Sequence, residues 1–485
     1  MLTAQFAGQL DSTFADTGYV ITNGSGELEH ARALLQTPDG RIYVIGTATT
    51  AQGPDIGVAR FLPNGEMDLQ FGNNGLVTIH ADWTEFGEGC ALQDDGSILI
   101  AGMTHIIDIP TTTKGLIARL DSTGSLDTTF ADGGLHTIYY PEVSSSLSDI
   151  SVQSDNRIVA CGNSGNDMLI HRTLPNGASD PSFGDGGSVL LPNSIARSMT
   201  IDTSNGSLIV AGSGIARILP NGELDSLGFG VDGWAVLPAD IVGTNYYQDV
   251  TMGSDGRIMV TGYTTYSDSL ILLRLLSNGN PDITFAQDGS LHLPNSKGLA
   301  VTLQTDGMIV VTGSIYDSLW NEQVLLARID PTGEPDPLFG VNGIVVFSPN
   351  VQGPHLEMGT GIVIGSNANI TISVGYWGNS GSHGFLVARF LGNTLPGSVE
   401  QVECRNCTVF PVPAVDEVTA ECLGCNGHKA VMDVIDATGR TIHSELQLIN
   451  ATSQARVSLR GIPSGVYHLR IVCGSQIYLH TLIIQ

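Results

Sequence analysis

The sequence predicts an all-β protein: a seven-bladed β-propeller closed by an N-terminal strand, followed by a small Ig-like β-sandwich. Three observations predict it. A unit of about 55 residues recurs along residues 9–393, a period within the range of propeller blades. Each unit carries apolar runs broken by tight-turn dipeptides, the mark of hairpins. The last unit lacks a piece that is present at the opposite end of the chain.

The third observation rests on an arginine followed eight residues later by an aspartate and then by a phenylalanine. The copies are Arg60/Asp68/Phe71, Arg119/Asp127/Phe130, Arg172/Asp180/Phe183, Arg217/Asp225/Phe229, Arg274/Asp282/Phe285 and Arg328/Asp336/Phe339. A seventh arginine, Arg389, has Gly397 in the aspartate position, and the orphan partner is Asp11 in Leu10-Asp11-Ser12-Thr13-Phe14. An open solenoid gives no reason to divide one repeat between two termini; a ring does. The segment around 9–22 is therefore expected to supply the outer strand of the seventh blade, with the other three from about 355–392.

Within a unit, runs such as 33–46, 90–102, 250–262 and 301–313 place an Asp-Gly turn between apolar strands, a strong hairpin signal because Asp and Gly tolerate positive φ. Gly46, Gly102, Gly162, Gly212, Gly262, Gly313 and Gly375 close the second strands and mark close backbone approach. The following stretches, such as 59–68 and 118–127, read as a second hairpin turning at Asn-Gly or Thr-Gly. Each arginine then faces its aspartate across two strands, where opposite charges attract. Partly exposed, such a pair contributes about 0.2–1 kcal/mol. The phenylalanines are expected to be buried between blades, where truncation costs roughly 3–5 kcal/mol. A trio present in every unit belongs to the scaffold.

Composition narrows the class. The chain has 485 residues, 42% hydrophobic and 14% charged, with 60 glycines, a turn-rich globular balance. No apolar run is long enough to span a membrane. A net charge of −28 argues against nucleic acid or anionic lipid, which need a basic surface. A monomer without cofactor is expected. Met1–Gly8 is too short for a complete signal peptide, yet Thr3-Ala4-Gln5 resembles the end of one; the signal peptide is expected to be missing from this chain, with a cytoplasmic protein beginning at Met1 as the alternative.

Residues 394–403 read as a linker and 404–485 as the second domain, with strand-like runs near 408–411, 417–422, 430–436, 441–448, 455–460, 466–473 and 476–484. Seven short strands suggest a small sandwich. Cys404, Cys407, Cys422 and Cys425 form two C-x-x-C pairs. One hairpin turning near Ala414 and Val415 would set Cys404 opposite Cys425 and Cys407 opposite Cys422, allowing two stacked disulfides of an oxidising compartment. A zinc tetrathiolate and free thiols are the alternatives. Cys90, Cys161 and Cys473 are expected to be buried, inert thiols.

Pro411 and Pro413, Asp436/Gly439/Arg440, and Leu459/Gly461/Ile462/Gly465/Tyr467 occur in order in this domain. Together they resemble the C-terminal sorting domain of type IX secretion cargo, with Val412 in place of the usual asparagine. The resemblance implies export across the outer membrane of a Bacteroidetes-type bacterium, engagement of the type IX machinery, and release or attachment at the cell surface. The repeat, L-Q-x-D-G-R-I-x-V-x-G followed by A-R-L-x-x-x-G-x-L-D-x-x-F-G-x-x-G, is similar to the delta-60 repeat of secreted bacterial propellers. That resemblance implies fold and export and brings no biochemical activity with it.

No phosphate loop, His-Glu-x-x-His or Gly-x-Ser-x-Gly motif is present. His171, alone in a repeat strand, reads as structural and His383 as a loop residue. The acids within Asp121–Asp132 lack EF-hand spacing. Both tight turns of a unit lie on one face of the disc, so the other two connections open on the opposite face, and these vary. They carry Trp83, Tyr139, Tyr140, Tyr246, Tyr247, Tyr266, Tyr316, Trp320, Tyr376 and Trp377. Aromatics on variable loops over a rigid scaffold suggest a recognition surface for a glycan or a protein. The alternatives are a polysaccharide hydrolase or lyase using acids of that face, such as Asp82, Glu85 or Glu142, and a structural surface component.

Overall fold

A computed structural model describes residues 7–22, 30–51, 53–106, 109–238, 241, 245–264, 268–317, 321–349, 355–378, 384–392, 407–422, 429–435, 441–448, 454–473 and 476–484. The described elements are all strands, and no helix is long and apolar enough to cross a membrane. The chain divides into two units, Gln5–Thr394 and Leu395–Gln485 with Met1–Ala4.

In the larger unit the first repeat sets the pattern. His30–Gln36, Ile42–Thr50, Gly53–Phe61 and Leu76–Ile79 pair in sequence order as one antiparallel sheet. Comparable sheets span 85–138, 145–191 and 245–293. The repeat at 196–218 has three strands, with Trp234 making a single bridge to Ala216 in place of the fourth. The repeat at 296–347 and the strands His355–Ile364, Ile370–Gly378 and Leu386–Phe390 join through one parallel bridge, Glu322 to Leu356. The outermost strand of this last group is N-terminal: Tyr19–Ile21 pairs with Leu386–Phe390, Tyr19 opposite Ala388. First strands of successive groups pack on one another, and the last packs on the first. Thr360 Oγ1 donates to Ala31 O across that closure at 3.1 Å. The groups thus form a closed ring.

The structure corrects the expected second hairpin. After Phe61 the chain turns at Asn64-Gly65 and returns for a single bridge, Phe61 to Met67, with the Asp68 amide donating to Arg60 O at 2.9 Å. It then turns again at Phe71–Gly75 before the fourth strand, Leu76–Ile79, pairs with Gly53–Phe61. Phe71 must leave the sheet to be buried between neighbouring groups, so the chain cannot continue as a strand through it. Phe71 sits with Tyr43, Ile45 and Val58 of its own repeat and Ile98, Ile100 and Leu116 of the next. The core is therefore a series of apolar layers between sheets.

The strand-closing glycines are a second consequence of this packing. Each first strand bulges opposite them, for instance between Ala31 and Ala33. A Cβ on Gly46, Gly102, Gly162, Gly212, Gly262 or Gly313 would lie 1.7–2.1 Å from a carbonyl oxygen of the bulged strand.

The smaller unit has two sheets, Cys407–Phe410, Glu417–Cys422 and Gln454–Ser458 in one, and Thr441–Leu448, Lys429–Ile435, Gly465–Cys473 and Gln476–Ile484 in the other. They enclose one core that includes Val418, Met432, Val457, Leu469 and Leu482. Leu459 is buried in it, Gly461 takes a positive φ of 86°, and the Tyr467 hydroxyl donates to Pro463 O at 2.9 Å. Asp433 pairs with Arg470 across adjacent strands at 2.8 Å.

Candidate functional site

The repeated ion pairs form throughout the ring. The pairs Arg60–Asp68, Arg119–Asp127, Arg172–Asp180, Arg217–Asp225, Arg274–Asp282, Arg328–Asp336 and Arg389–Asp11 are 2.5–2.9 Å apart. Both members are buried in the pairs of Arg60, Arg172, Arg274 and Arg328, so the value for an exposed pair does not apply to them. Each guanidinium also stacks 4.5–4.9 Å from the centroid of its repeat's phenylalanine, with Phe14 serving Arg389. Each further donates to a backbone carbonyl of the next repeat: Arg60 to Ser122, Arg119 to Pro175, Arg172 to Pro220, Arg217 to Ser277, Arg274 to Pro331, Arg328 to Gly392 and Arg389 to Pro63. The arginine is thus a latch between neighbours.

The aromatic candidates divide. Tyr247 is 1% exposed and belongs to the core between Ile215 and Ile258, so its assignment to the recognition surface is corrected: it alternates inward where Tyr246 points outward. Tyr140 is half-buried against an apolar cluster that includes Leu147. Tyr266 and Trp320 lie outside the described residues, as do the side chains of Tyr376 and Trp377. Tyr246, Tyr316 and Lys297 gather at one part of the loop face. Tyr246 packs on Tyr263 at 5.6 Å, Lys297 Nζ sits 5.6 and 5.1 Å from the Tyr263 and Tyr316 rings, and it donates to the Tyr316 hydroxyl at 2.5 Å.

Trp83 and Tyr139 stand at another part, 40% and 42% exposed. The Trp83 ring meets His105 edge-on at 6.3 Å, and Thr84 Oγ1 lies 2.7 Å from His105 Nδ1. Lys114 Nζ lies 3.3 Å from Asp82 Oδ2 and 6.0 Å from the Tyr139 ring.

The connection that carries Trp83 also brings together a group of titratable side chains that sequence alone did not assemble. His80 Nδ1 is 2.7 Å from Asp55 Oδ1 and 3.3 Å from Glu85 Oε2. Asp55 and Glu85 are buried and His80 is exposed. Thr104 Oγ1 and the Asp82 amide donate to Glu85 Oε1 at 2.7 and 2.8 Å. Thr50 Oγ1 donates to Asp55 Oδ2 at 2.7 Å. Burial raises the Glu85 carboxyl above its ordinary range, against its hydrogen bonds from Thr104 and Asp82. The hydrogen bond to Asp55 raises the His80 imidazole.

Strand register gives the signal that could have found this group. Third and fourth strands end on equivalent pairs, Ile56–Ile79, Gly115–Ile138, Met168–Leu191, Leu270–Leu293 and Val324–Phe347. One step beyond lie Asp55/His80, Lys114/Tyr139, Asp167/Pro192, Ser269/Pro294 and Gln323/Ser348. Among these, the first repeat alone pairs an acid with a histidine. The position of Glu85, two residues before the bulge, carries Ser145, Asn245 and Ser296 elsewhere, and Glu357 in the last group. Burial pushes the Glu357 carboxyl up to about 7.

First strands also line an axial cavity of about 490 Å³ bearing Arg32, Glu88, Asp149, Arg197 and Asp249. Burial lifts Asp149 to about 7, although it accepts the Met199 amide at 2.8 Å. Cys90, half-buried here, and buried Cys161 are free thiols raised by burial. In the smaller unit Cys407 pairs with Cys422 in backbone register; the side chains of these two and of Cys473, and all of Cys404 and Cys425, lie outside the described residues.

Residues 37–71, 93–130, 153–183, 253–285 and 304–339 match the family model of a domain of unknown function described as the DUF5122 beta-propeller. Residues 408–485 match the secretion system C-terminal sorting domain. These matches bear out the two sequence resemblances. No curated protein matches the chain. Solved structures to which the chain shows similarity include Sqt1 of Chaetomium thermophilum bound to the N-terminus of ribosomal protein L10, at 12% identity, covering 76% of this chain and 98% of that one with a TM-score of 0.40. A Hadza microbial sialidase is 10% identical, with coverage of 75% and 66% and a TM-score of 0.41. A GH43 β-1,3-galactosidase is 9% identical, with coverage of 82% and 96% and a TM-score of 0.29.

Proposed function

We propose that this chain, a β-propeller of DUF5122-type repeats with a secretion-system sorting domain, is an exported, seven-bladed binding module that takes a glycan on its loop face. The sorting domain supports type IX export to the medium or the cell surface. The observation that carries the binding reading is a pair of exposed aromatics with polar neighbours, Trp83 against His105 and Tyr139 against the Lys114–Asp82 pair. Flat apolar ring faces beside hydrogen-bonding side chains suit a sugar, whose C–H face stacks while its hydroxyls are met by polar groups. Trp83 stands two residues before the strand Glu85–Leu92 and Tyr139 directly after Leu135–Ile138, so both are anchored at strand ends and binding orders little that is loose.

Burial and pairing argue against Asp55, Glu85 and Asp82 as hydrolytic acids, which leaves exposed Glu142 as the acid a hydrolase would use. Glu85 is 0% exposed and Asp55 2%, so neither presents a carboxyl to a glycosidic oxygen, and Asp82 is engaged by Lys114. A glycan array probed with the secreted protein tests the reading. Trp83→Ala and Tyr139→Ala should each weaken retained glycans at least tenfold, with no reducing ends released on prolonged incubation. Unchanged binding in the double variant sinks the site, and product release would move the assignment to a hydrolase.

A further inference from the structure

We propose that Asp55, His80 and Glu85 form a binding site for a transition-metal dication of the zinc class, held through Asp55 Oδ1, His80 Nδ1 and Glu85 Oε2. These ligand atoms lie within 4.8 Å of one another. Bonds of about 2.0–2.2 Å from nitrogen and oxygen to zinc require them to sit some 3–3.5 Å apart, so small rotations complete the site. The independent observation is Glu85 Oε2. Glu85 is wholly buried; its Oε1 accepts two hydrogen bonds, while buried Oε2 accepts none of good geometry and has only a 3.3 Å contact with His80 Nδ1 and the like-charged Asp55 carboxyl for company. A buried carboxylate oxygen without a donor is costly, and it points at the imidazole nitrogen that Asp55 already occupies. A cation at the common point of the three atoms satisfies all of them.

The surroundings fit a metal's outer layer. Thr104 and the Asp82 amide fix Glu85, and Thr50 holds Asp55 Oδ2, which turns the remaining oxygens inward; such partners orient metal ligands. His80 lies on the open side, leaving an entry path and a fourth position for water. Nitrogen beside two carboxylates suits zinc-class ions, whereas calcium and magnesium prefer oxygen alone. Cation and proton compete for the Nδ1 lone pair, so binding weakens as pH falls. It ties the third strand of one repeat to the first strand of the next and fixes the 80–84 segment that carries Trp83. The inference does not depend on what Trp83 binds.

The test uses full-length protein stripped with chelator and titrated with Zn²⁺ by calorimetry, beside His80→Ala and Glu85→Gln. His80 is exposed and glutamine keeps the shape of Glu85, so both variants should fold. Reading the difference from wild type removes any zinc taken by the cysteines of the smaller unit. Wild type should bind one equivalent more than His80→Ala, and Glu85→Gln should bind that equivalent at least tenfold more weakly. Zn²⁺ should raise the thermal midpoint of wild type above that of His80→Ala. Equal stoichiometry and equal midpoint shifts in all three proteins would overturn the proposal. A Glu85→Gln protein that is more stable than metal-free wild type, with no difference in zinc uptake, would assign the carboxylates to a shared proton instead.

Discussion

Arg328 shows how much one residue of the repeat is asked to do. It pairs with Asp336, stacks on Phe339 and donates to Gly392 in the neighbouring repeat. Removing it leaves a buried carboxylate unpaired, which costs far more than an exposed pair is worth. Arg328→Met should therefore destabilise the propeller by about 3–5 kcal/mol, read by urea denaturation with tryptophan fluorescence. Adding Asp336→Asn removes the stranded charge and keeps an acceptor for the Leu338 amide, so the double variant should recover much of the loss. A single-variant cost below about 1 kcal/mol, the exposed-pair value, would show that the latch contributes little. The eight-residue spacing made the pair legible in sequence. Its burial and its third contact were not, because the carbonyl it reaches is 48–64 residues away in six repeats and 326 away for Arg389.

Among the elements, the strand pair Asp167–Thr173 and Leu135–Ile138 brings two histidines together from adjacent repeats. His171 Nε2 is 3.0 Å from His136 Nε2, and the rings stack at 5.0 Å. Burial drives the His171 imidazole down to about 3, with His136 adding to the effect, and burial also lowers His136. The folded pKa lies below the unfolded value near 6.5. The stability due to the neutral pair is therefore complete above about pH 6.5 and is lost as pH falls toward 3, where the unfolded chain binds protons that the folded one refuses. Each such proton gives a slope of up to about 1.4 kcal/mol per pH unit. His171→Gln should flatten the fall between pH 6.5 and 5, above the range where most carboxylates titrate. Equal slopes in the two proteins would mean that the pair is protonated when folded. At this scale the sequence located the first three strands of a repeat correctly and displaced the fourth. Asn-Gly at 64–65 is a true turn, but the short return through Asp68 serves the latch, and Phe71 takes the chain out of the sheet.

For the whole molecule the closure is the weak point and the control point of the ring. Residues 7–22 contribute Asp11 to Arg389, buried Phe14, and the strand that covers Leu386–Phe390. A chain lacking the first 22 residues exposes that strand edge and leaves Arg389 without its carboxylate. Its thermal midpoint should fall by several degrees or more, and a synthetic 7–22 peptide should restore it saturably. A Phe14→Ala peptide should restore less, and a truncated chain as stable as the full one would show that closure does not depend on this segment.

The sequence by itself determined the repeat, its period, the orphan Asp11 and the sorting domain, because local turn chemistry and strict spacing write these directly into the chain. It also marked the loop face, since variable aromatics stand out against a regular scaffold. Tertiary structure decided which of those aromatics face outward, separating Tyr246 from Tyr247 by one step of strand alternation. It also decided that Asp55, His80 and Glu85 meet. Strand register could have set His80 beside Asp55, but no spacing brings in Glu85, because the three sit on a third strand, a connection and the first strand of the next repeat. Only the packing of one sheet against its neighbour converts 30 residues of chain into a few ångströms.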